Sequence, residues 1–211
     1  MSKKVVIIDY SLGNMFSVQQ AFAHFGVNAI VTDNKEEIDS ADALVLPGVG
    51  AFAEAMNYLN SKDLVAPIKS SIEKGKPFLG ICLGLQLLFD TSEEFGATNG
   101  LGIIPGTIKR FNFNDPKIKV PQMGWNNIIE PSLNKWQNTI LSNITSNEFM
   151  YFVHSYYASP INPEHILCET EYEGLKYCSA VIKDNVIATQ FHPEKSATEG
   201  LKIYKNWIEK I

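Results

Sequence analysis

The sequence predicts an α/β protein: a central, mostly parallel sheet flanked by helices, with an antiparallel portion toward the C-terminus. Three observations predict it. Short apolar runs such as "VVII", "ALVLPG" and "PFLGIC" have the length and uniformity of strands buried on both faces. Helical patterns stand between them, the alternation that parallel strands need for their crossovers. From about Gly100 the texture changes to closely spaced strand-like runs with few helices between them.

Taken in order, "KVVIIDY" reads as a first buried strand. Asn14 to Phe25 comes next as an amphipathic helix with Met15, Val18, Phe22 and Phe25 inward. "AIVTD" and "ALVLPG" are the next strands, then one helix through "AFAEAMNYLN" and a second through "VAPIKSSIEKG". "PFLGIC" is a strand, and "LGLQLLFDTSE" the helix after it. "GTIKRFNF", "YFVHSYYAS", "HILCETEY", "YCSAVIKD" and "NVIATQF" read as strands, the last two turning as a hairpin at Asp184-Asn185. The closing "ATEGLKIYKNWIEKI" is an amphipathic helix with Leu201, Tyr204 and Ile208 on one stripe. There is no internal repeat or linker, so residues 1–211 are expected to form one domain.

Composition narrows the function. A net charge of −5 argues against a nucleic-acid binder, which shows a basic face. The apolar run after "MSKK" stops at Asp9, too short for the core of a signal peptide. No segment approaches the roughly 18 apolar residues of a membrane span. Cys82, Cys168 and Cys178 are three and unevenly spaced, with no C-x-x-C pair. Neither a disulfide framework nor a zinc site is expected, and no metal or cofactor. Free thiols point to the reducing cytoplasm.

The chemistry begins in "GICLG", where Gly80 and Gly84 flank Cys82 between a strand and a helix. This is the nucleophile-elbow pattern with cysteine in place of serine: a sharp turn exposes the side chain, and bulky neighbours would collide with it. The helix starting after Cys82 turns its positive end toward the sulfur and favours thiolate, and the Leu83 N–H becomes an oxyanion donor. The bland alternative is a core cysteine beside packing glycines. A thiolate needs a base, and the base an orienting group. His24 sits mid-helix, His165 in a loop and His154 in a strand. His192 opens "FHPEKS" after the last strand, with Glu194 two positions on. Pro193, its φ fixed at about −65°, can hold the pair in one geometry. Alone, "HPE" is equally a loop histidine beside an acid. In "LVLPGVGAF" a strand ends in Pro47-Gly48-Val49-Gly50 before a helix, where glycines can turn N–H groups toward an oxyanion. The stretch lacks the lysine and length of a Walker loop and the spacing of G-x-G-x-x-G.

In this order the three motifs resemble those of the class I (triad) glutamine amidotransferases. The resemblance runs through "IIDYSLGNMFSV", "LPGVGAF", "GICLGLQLLF", "GLGIIPG", "VPQMGWN", "YFVHSYYA" and "TQFHPEKS", nearly the whole chain. "PQMGWN" and "YFVHSYY" are most similar to the branch whose members form a heterodimer with a (β/α)8 cyclase subunit in histidine biosynthesis. The resemblance implies the family's fold and a glutaminase: Cys82 attacks the carboxamide of glutamine, His192 shuttles the proton and Glu194 orients His192. It implies that Leu83 and the Val49-Gly50 backbone hold the oxyanion, that Gly50, Gln86, Ser155 and Tyr156 surround the substrate, and that Trp125, Tyr151 and Lys195 meet the partner. Ammonia would pass to the cyclase, which makes imidazole glycerol phosphate and aminoimidazole carboxamide ribotide from a phosphoribulosyl nucleotide.

The residues agree on one point, since nothing offers a phosphate cage and the acceptor chemistry belongs elsewhere. A peptide flip in the glycine-rich Pro47–Gly50 loop would decide whether an N–H faces the oxyanion, so the glutaminase is expected to be nearly silent until its partner docks. Other readings stay open: a paralogue supplying ammonia for amidination of a surface-polysaccharide sugar, a cysteine hydrolase or chaperone-like protein of the same fold, and a binding module with a vestigial triad. The chain departs from the branch's pattern at Met15 (usually leucine), at Gln122 (often histidine) and at Phe95 (where a glycine is expected).

Overall fold

The computed structural model describes residues 3–211; Met1 and Ser2 lie outside the described residues. Strand β1 (Val5–Ile8) shows why its sequence is apolar throughout. Val5 and Ile7 enter the core on one face of the sheet, and Val6 and Ile8 the core on the other. A strand covered on both sides has no polar face to keep.

The main sheet has a parallel half and a largely antiparallel half. In the parallel half, β2 (Ile30–Thr32), β1, β3 (Ala43–Gly48), β4 (Phe78–Cys82) and β13 (Val186–Thr189) lie side by side in that order. The sheet continues from β13 through β12 (Leu175–Lys183), β10 (Tyr156–Pro160), β7 (Ile104–Arg110), β5 (Phe89–Ser92) and β6 (Thr98–Asn99), with β11 (Ile166–Tyr172) also paired to β12. Apart from the parallel β5–β7 contact, these pairings are antiparallel. The hairpin at Asp184-Asn185 forms as expected: Lys183 faces Val186, and Asp184 takes the left-handed turn with φ 51°. Strands β8 (Gln122–Asn127) and β9 (Phe149–His154) form a separate two-stranded ribbon.

Helices cover both faces. Val18 and Phe22 of α1 (Met15–Ala23) pack with Ile203, Tyr204 and Trp207 of α6 (Ala197–Ile208) on one side. Ile38 of α2 (Lys35–Asp39) packs on the other, with Phe52, Ala55, Met56 and Leu59 of α3 (Phe52–Ser61) and Ile68 and Ile72 of α4 (Val65–Glu73). Asn14 caps α1 by accepting from the Ser17 N–H, and Asn34 caps α2 from Glu36 and Glu37. No helix among the described residues is long and apolar enough to cross a membrane.

Two expectations about the elements need correction, and two hold in part. The helix after Cys82, α5 (Leu83–Leu87), is one short turn rather than a run to Glu93. The Leu87 and Leu88 carbonyls, which a longer helix would engage, accept instead from Leu101, Ile103 and Ile104, and Phe89 starts β5. "YFVHSYYAS" is two strands broken at Ser155, one in the ribbon and one in the main sheet. The buried stripe of α6 is Gly200, Ile203, Tyr204 and Trp207, with Leu201 and Ile208 at its margins. On α1, Val18 and Phe22 are buried as expected, and Met15 and Phe25 face inward too, partly covered and packed against the same core.

Candidate active site

The parallel register brings three chain ends to one point. Gly48 at the end of β3 stands opposite Cys82 at the end of β4, and Thr189 of β13 stands opposite Ile81. The Pro47–Gly50 loop, the cysteine and the segment from Gln190 to Glu194 therefore leave the sheet together at the carboxyl ends of parallel strands, where α/β proteins place their ligands.

At the turn itself Cys82 has φ 56° and ψ −109°, a conformation that costs a non-glycine residue of order 1–3 kcal/mol. The neighbouring glycines make the turn possible. A Cβ on Gly80 would lie 2.8 Å from Ala188 Cβ and 3.0 Å from the Gly84 carbonyl oxygen, and one on Gly84 would overlap the Leu46 carbonyl oxygen. No side chain larger than hydrogen fits at either place. Cys82 is 6% exposed and faces a cavity of about 280 Å³. Val49, Gly50, Leu83, Gln86, Ser155 and Tyr156, the residues expected around the oxyanion and substrate, all line that cavity. The Leu83 N–H stands in the first turn of α5, where a helix offers its N–H groups no acceptor of its own.

His192 and Glu194 are almost fully buried, at 2% and 1% exposed, with Nδ1 and Oε1 2.8 Å apart. Pro193 opens the single turn Pro193–Lys195 that carries both. The backbone around His192 is held from two sides: its N–H donates to the Tyr151 carbonyl at 2.9 Å, and the Ser196 hydroxyl donates to its carbonyl at 2.6 Å. Burial opposes a charge on the imidazole. The negative charge of Cys82 and the Glu194 carboxylate outweigh it and raise the His192 pKa to about 10. Nδ1–H points to Glu194, and Nε2 makes no hydrogen bond to any described residue, leaving it as the nitrogen that can exchange a proton.

The other cysteines and histidines differ in kind. Cys168 and Cys178 are buried within strands; burial pushes the Cys168 thiol up to about 12 and raises that of Cys178 as well. His154, which the sequence places in a strand without a role, lies in the cavity wall. Its Nδ1–H donates to the Tyr156 carbonyl at 2.8 Å, and burial holds its pKa down at about 4, so it is neutral. Two further residues escape the sequence reading. Glu94 lines the cavity and accepts from the Phe52 N–H, at the first turn of α3, at 2.5 Å. Gln190 is fully buried, with Nε2 3.7 Å from Cys82 Sγ. Gln190 lies within "TQFHPEKS", but nothing in that motif says that its amide reaches the cysteine, and Glu94 is brought to the site by its bond to the distant start of α3.

Trp125, Tyr151 and Lys195 form one patch beside the site. The Trp125 and Tyr151 rings meet edge to face with centroids 6.2 Å apart, Lys195 Nζ sits 5.9 Å over the Tyr151 ring, and Tyr151 also abuts His192. Trp125 is 53% exposed, and Met123 and Phe149 extend the apolar surface along the same ribbon.

A cysteine on an elbow, an imidazolium ready to protonate a leaving group and a carboxylate behind it can together perform acyl transfer through a thioester. The chain is similar to known proteins along nearly its whole length. Imidazole glycerol phosphate synthase subunit HisH of Gloeothece citriformis (strain PCC 7424) is 46% identical over 209 residues, 98% of this chain and 96% of that protein. The subunit of the same name from Syntrophotalea carbinolica (strain DSM 2380 / NBRC 103641 / GraBd1) is 49% identical over 209 residues, 96% of this chain and 98% of that one. Among solved structures, PurLQS from Thermotoga maritima shares the fold with a TM-score of 0.75 at 16% identity, over 100% of this chain and 99% of that chain. The family model for glutamine amidotransferase class-I matches residues 6–211, so the chain that carries this elbow and this His–Glu pair belongs to the class I glutamine amidotransferases.

Proposed function

We propose that the chain is the glutaminase subunit of an imidazole glycerol phosphate synthase, hydrolysing glutamine and delivering the ammonia to a (β/α)8 cyclase subunit. The observation that carries the chemistry is the buried His192–Glu194 pair beside Cys82 at the wall of a cavity that suits one amino acid. The names and identity of the relatives support the pathway.

In this reading Cys82 Sγ attacks the side-chain carbonyl carbon of glutamine. The oxygen of the tetrahedral intermediate is held by the Leu83 N–H and the Val49–Gly50 backbone. His192 gives its Nε2 proton to the departing nitrogen, which leaves as ammonia, and a γ-glutamyl thioester remains on Cys82. Water, deprotonated by His192, releases glutamate. Glu194 keeps the imidazole in the required tautomer. The Glu94 carboxylate suits the α-ammonium group, and Gln86, Ser155 and Tyr156 the rest of the substrate. Trp125, Tyr151 and Lys195 are the docking patch, contiguous through Tyr151 with His192.

The test is steady-state glutamine hydrolysis by the purified chain, alone and then with the cyclase subunit and its nucleotide. A rise of about two orders of magnitude or more is expected, the size of one restored oxyanion donor, and it should disappear in Trp125→Ala. With Cys82→Ala in the assembled complex, added ammonium at high pH should restore the cyclase product. Activation by a sugar-amidinating partner and not by the cyclase would overturn the pathway, and full unaided activity would overturn the gating.

A further inference from the structure

A chain of hydrogen bonds inside the protein ends on the nucleophile, and its direction is fixed at the other end. Gln86 Nε2 donates to the Tyr156 main-chain carbonyl at 3.1 Å and to Gln190 Oε1 at 3.0 Å. A backbone carbonyl can only accept, so Gln86 must turn its NH2 group inward, and both of its amide protons are then used. Gln190 Oε1 is thereby committed as an acceptor. Its Nε2 is left facing Cys82 Sγ at 3.7 Å, within the range of an N–H to sulfur contact. Gln190 is fully buried, with its own N–H donating to the Ser179 carbonyl at 2.8 Å, so neither its backbone nor its amide has freedom to turn.

We infer that Gln190 is a positioning residue for the glutaminase reaction, donating its side-chain N–H to Cys82 Sγ, while Gln86 locks which end of its amide faces the sulfur. The inference rests on the reading of Cys82 as nucleophile. Its consequences are physical. A sulfur that accepts a fixed N–H is held in one direction over the cavity, and a hydrogen bond to an attacking thiolate is stronger than one to a thiol. The same lock leaves Gln86 Oε1 as the amide atom without a protein partner among the described residues, so Gln86 presents an acceptor, and not a donor, to whatever enters the cavity. One buried glutamine thus sets both the nucleophile and the polarity of the adjacent substrate contact. Its position directly after β13, in register with β4, makes this possible.

The test measures the rate of alkylation of Cys82 by iodoacetamide, followed by peptide mapping, at pH 7 and at pH 9.5 in the full chain. This readout needs no glutamine turnover. Absence of labelling at Cys82 in the unsubstituted protein would count against the nucleophile itself, and not against Gln190. Gln190→Met keeps the length and apolar volume and removes the donor. It should slow alkylation at pH 7 about tenfold, the worth of a hydrogen bond to a charged group, and the deficit should shrink at pH 9.5. An unchanged rate at pH 7, or an equal deficit at both pH values as a merely structural role would give, overturns the inference. If Gln190→Met does not fold, Gln86→Met decides. Freeing the Gln190 amide should slow labelling at pH 7 roughly threefold, and an unchanged rate overturns the lock.

Discussion

In the parallel half of the sheet, β3, β4 and β13 end side by side, and each end leads into a piece of the reaction: the Pro47–Gly50 loop, the Cys82 elbow and the His192–Glu194 turn. The antiparallel half, taken together with the separate antiparallel β8–β9 ribbon that leads into it, supplies walls: His154, Ser155 and Tyr156 at the junction of β9 and β10 close the cavity, and the ribbon carries the exposed aromatic patch. Parallel strands gather all their carboxyl ends at one edge, so groups distant in sequence meet there through short, recognisable turns. Antiparallel strands alternate their ends. A residue of that half reaches the site only through the register of its neighbours, so the chemistry of its own short segment does not explain why it is there. The nucleophile and its partners are therefore legible from the chemistry of short turns, whereas Ser155 and Tyr156 are expected at the wall only through the resemblance of "YFVHSYYA", and Glu94 and His154 are not expected there at all.

The comparison can be broken first in the parallel half. Glu194→Gln keeps the shape of the side chain and removes the charge that holds the imidazolium. Glutamine hydrolysis in the activated complex should fall roughly 10³–10⁴-fold with the fold intact. Steady-state assay with a circular dichroism control checks this, and a loss below tenfold would mean that Glu194 only packs the turn.

The antiparallel half should show itself in stability rather than rate. His154 has a folded pKa of about 4 against an ordinary 6.5, with burial as the main cause, the Tyr156 carbonyl opposing and the charge of His192 adding. A base whose pKa is depressed by folding stabilises the protein fully above pH 6.5 and loses that contribution as pH falls through 4. The interval is worth about 3 kcal/mol. Urea unfolding at pH 7.5 and at pH 4 should show an acid loss of that order, and His154→Gln should reduce it. For His192 the sign is reversed. Its raised pKa contributes stability that is complete below pH 6.5 and is lost as pH rises through about 10.

The smallest effect lies outside both halves. Phe95, which replaces an expected glycine, is 88% exposed with φ 53°, in the left-handed region that favours glycine. Phe95→Gly should relieve the strain, less the greater chain entropy of glycine in the unfolded state, for a gain of roughly 0.5–1 kcal/mol. A thermal melt should move up by about 2 °C. A lower melting temperature would show that the exposed ring contributes more than its backbone loses.

The same contrast decides which elements are legible in the sequence. "VVII", "ALVLPG" and "PFLGIC" are legible as buried strands because both faces are covered, and the register they adopt comes from crossovers by α1 to α4. The end of α5 is not legible. Whether Leu87 and Leu88 continue a helix depends on Leu101, Ile103 and Ile104 arriving to claim their carbonyls. The break at Ser155 is set by two different sheets pulling on β9 and β10. Glu94 and Gln190 enter the site by the same long-range route, one by bonding the start of α3, the other by standing beside β4.

The most direct measurement is labelling of the complex by an alkylating analogue of glutamine, with the modified cysteine identified by peptide mapping. The analogue should modify Cys82 alone, at a rate that rises on assembly with the cyclase and falls with added glutamine, and should spare Cys168 and Cys178, whose thiols burial keeps protonated. Modification of either of those two in place of Cys82 would contradict the assignment of the nucleophile and everything built on the elbow.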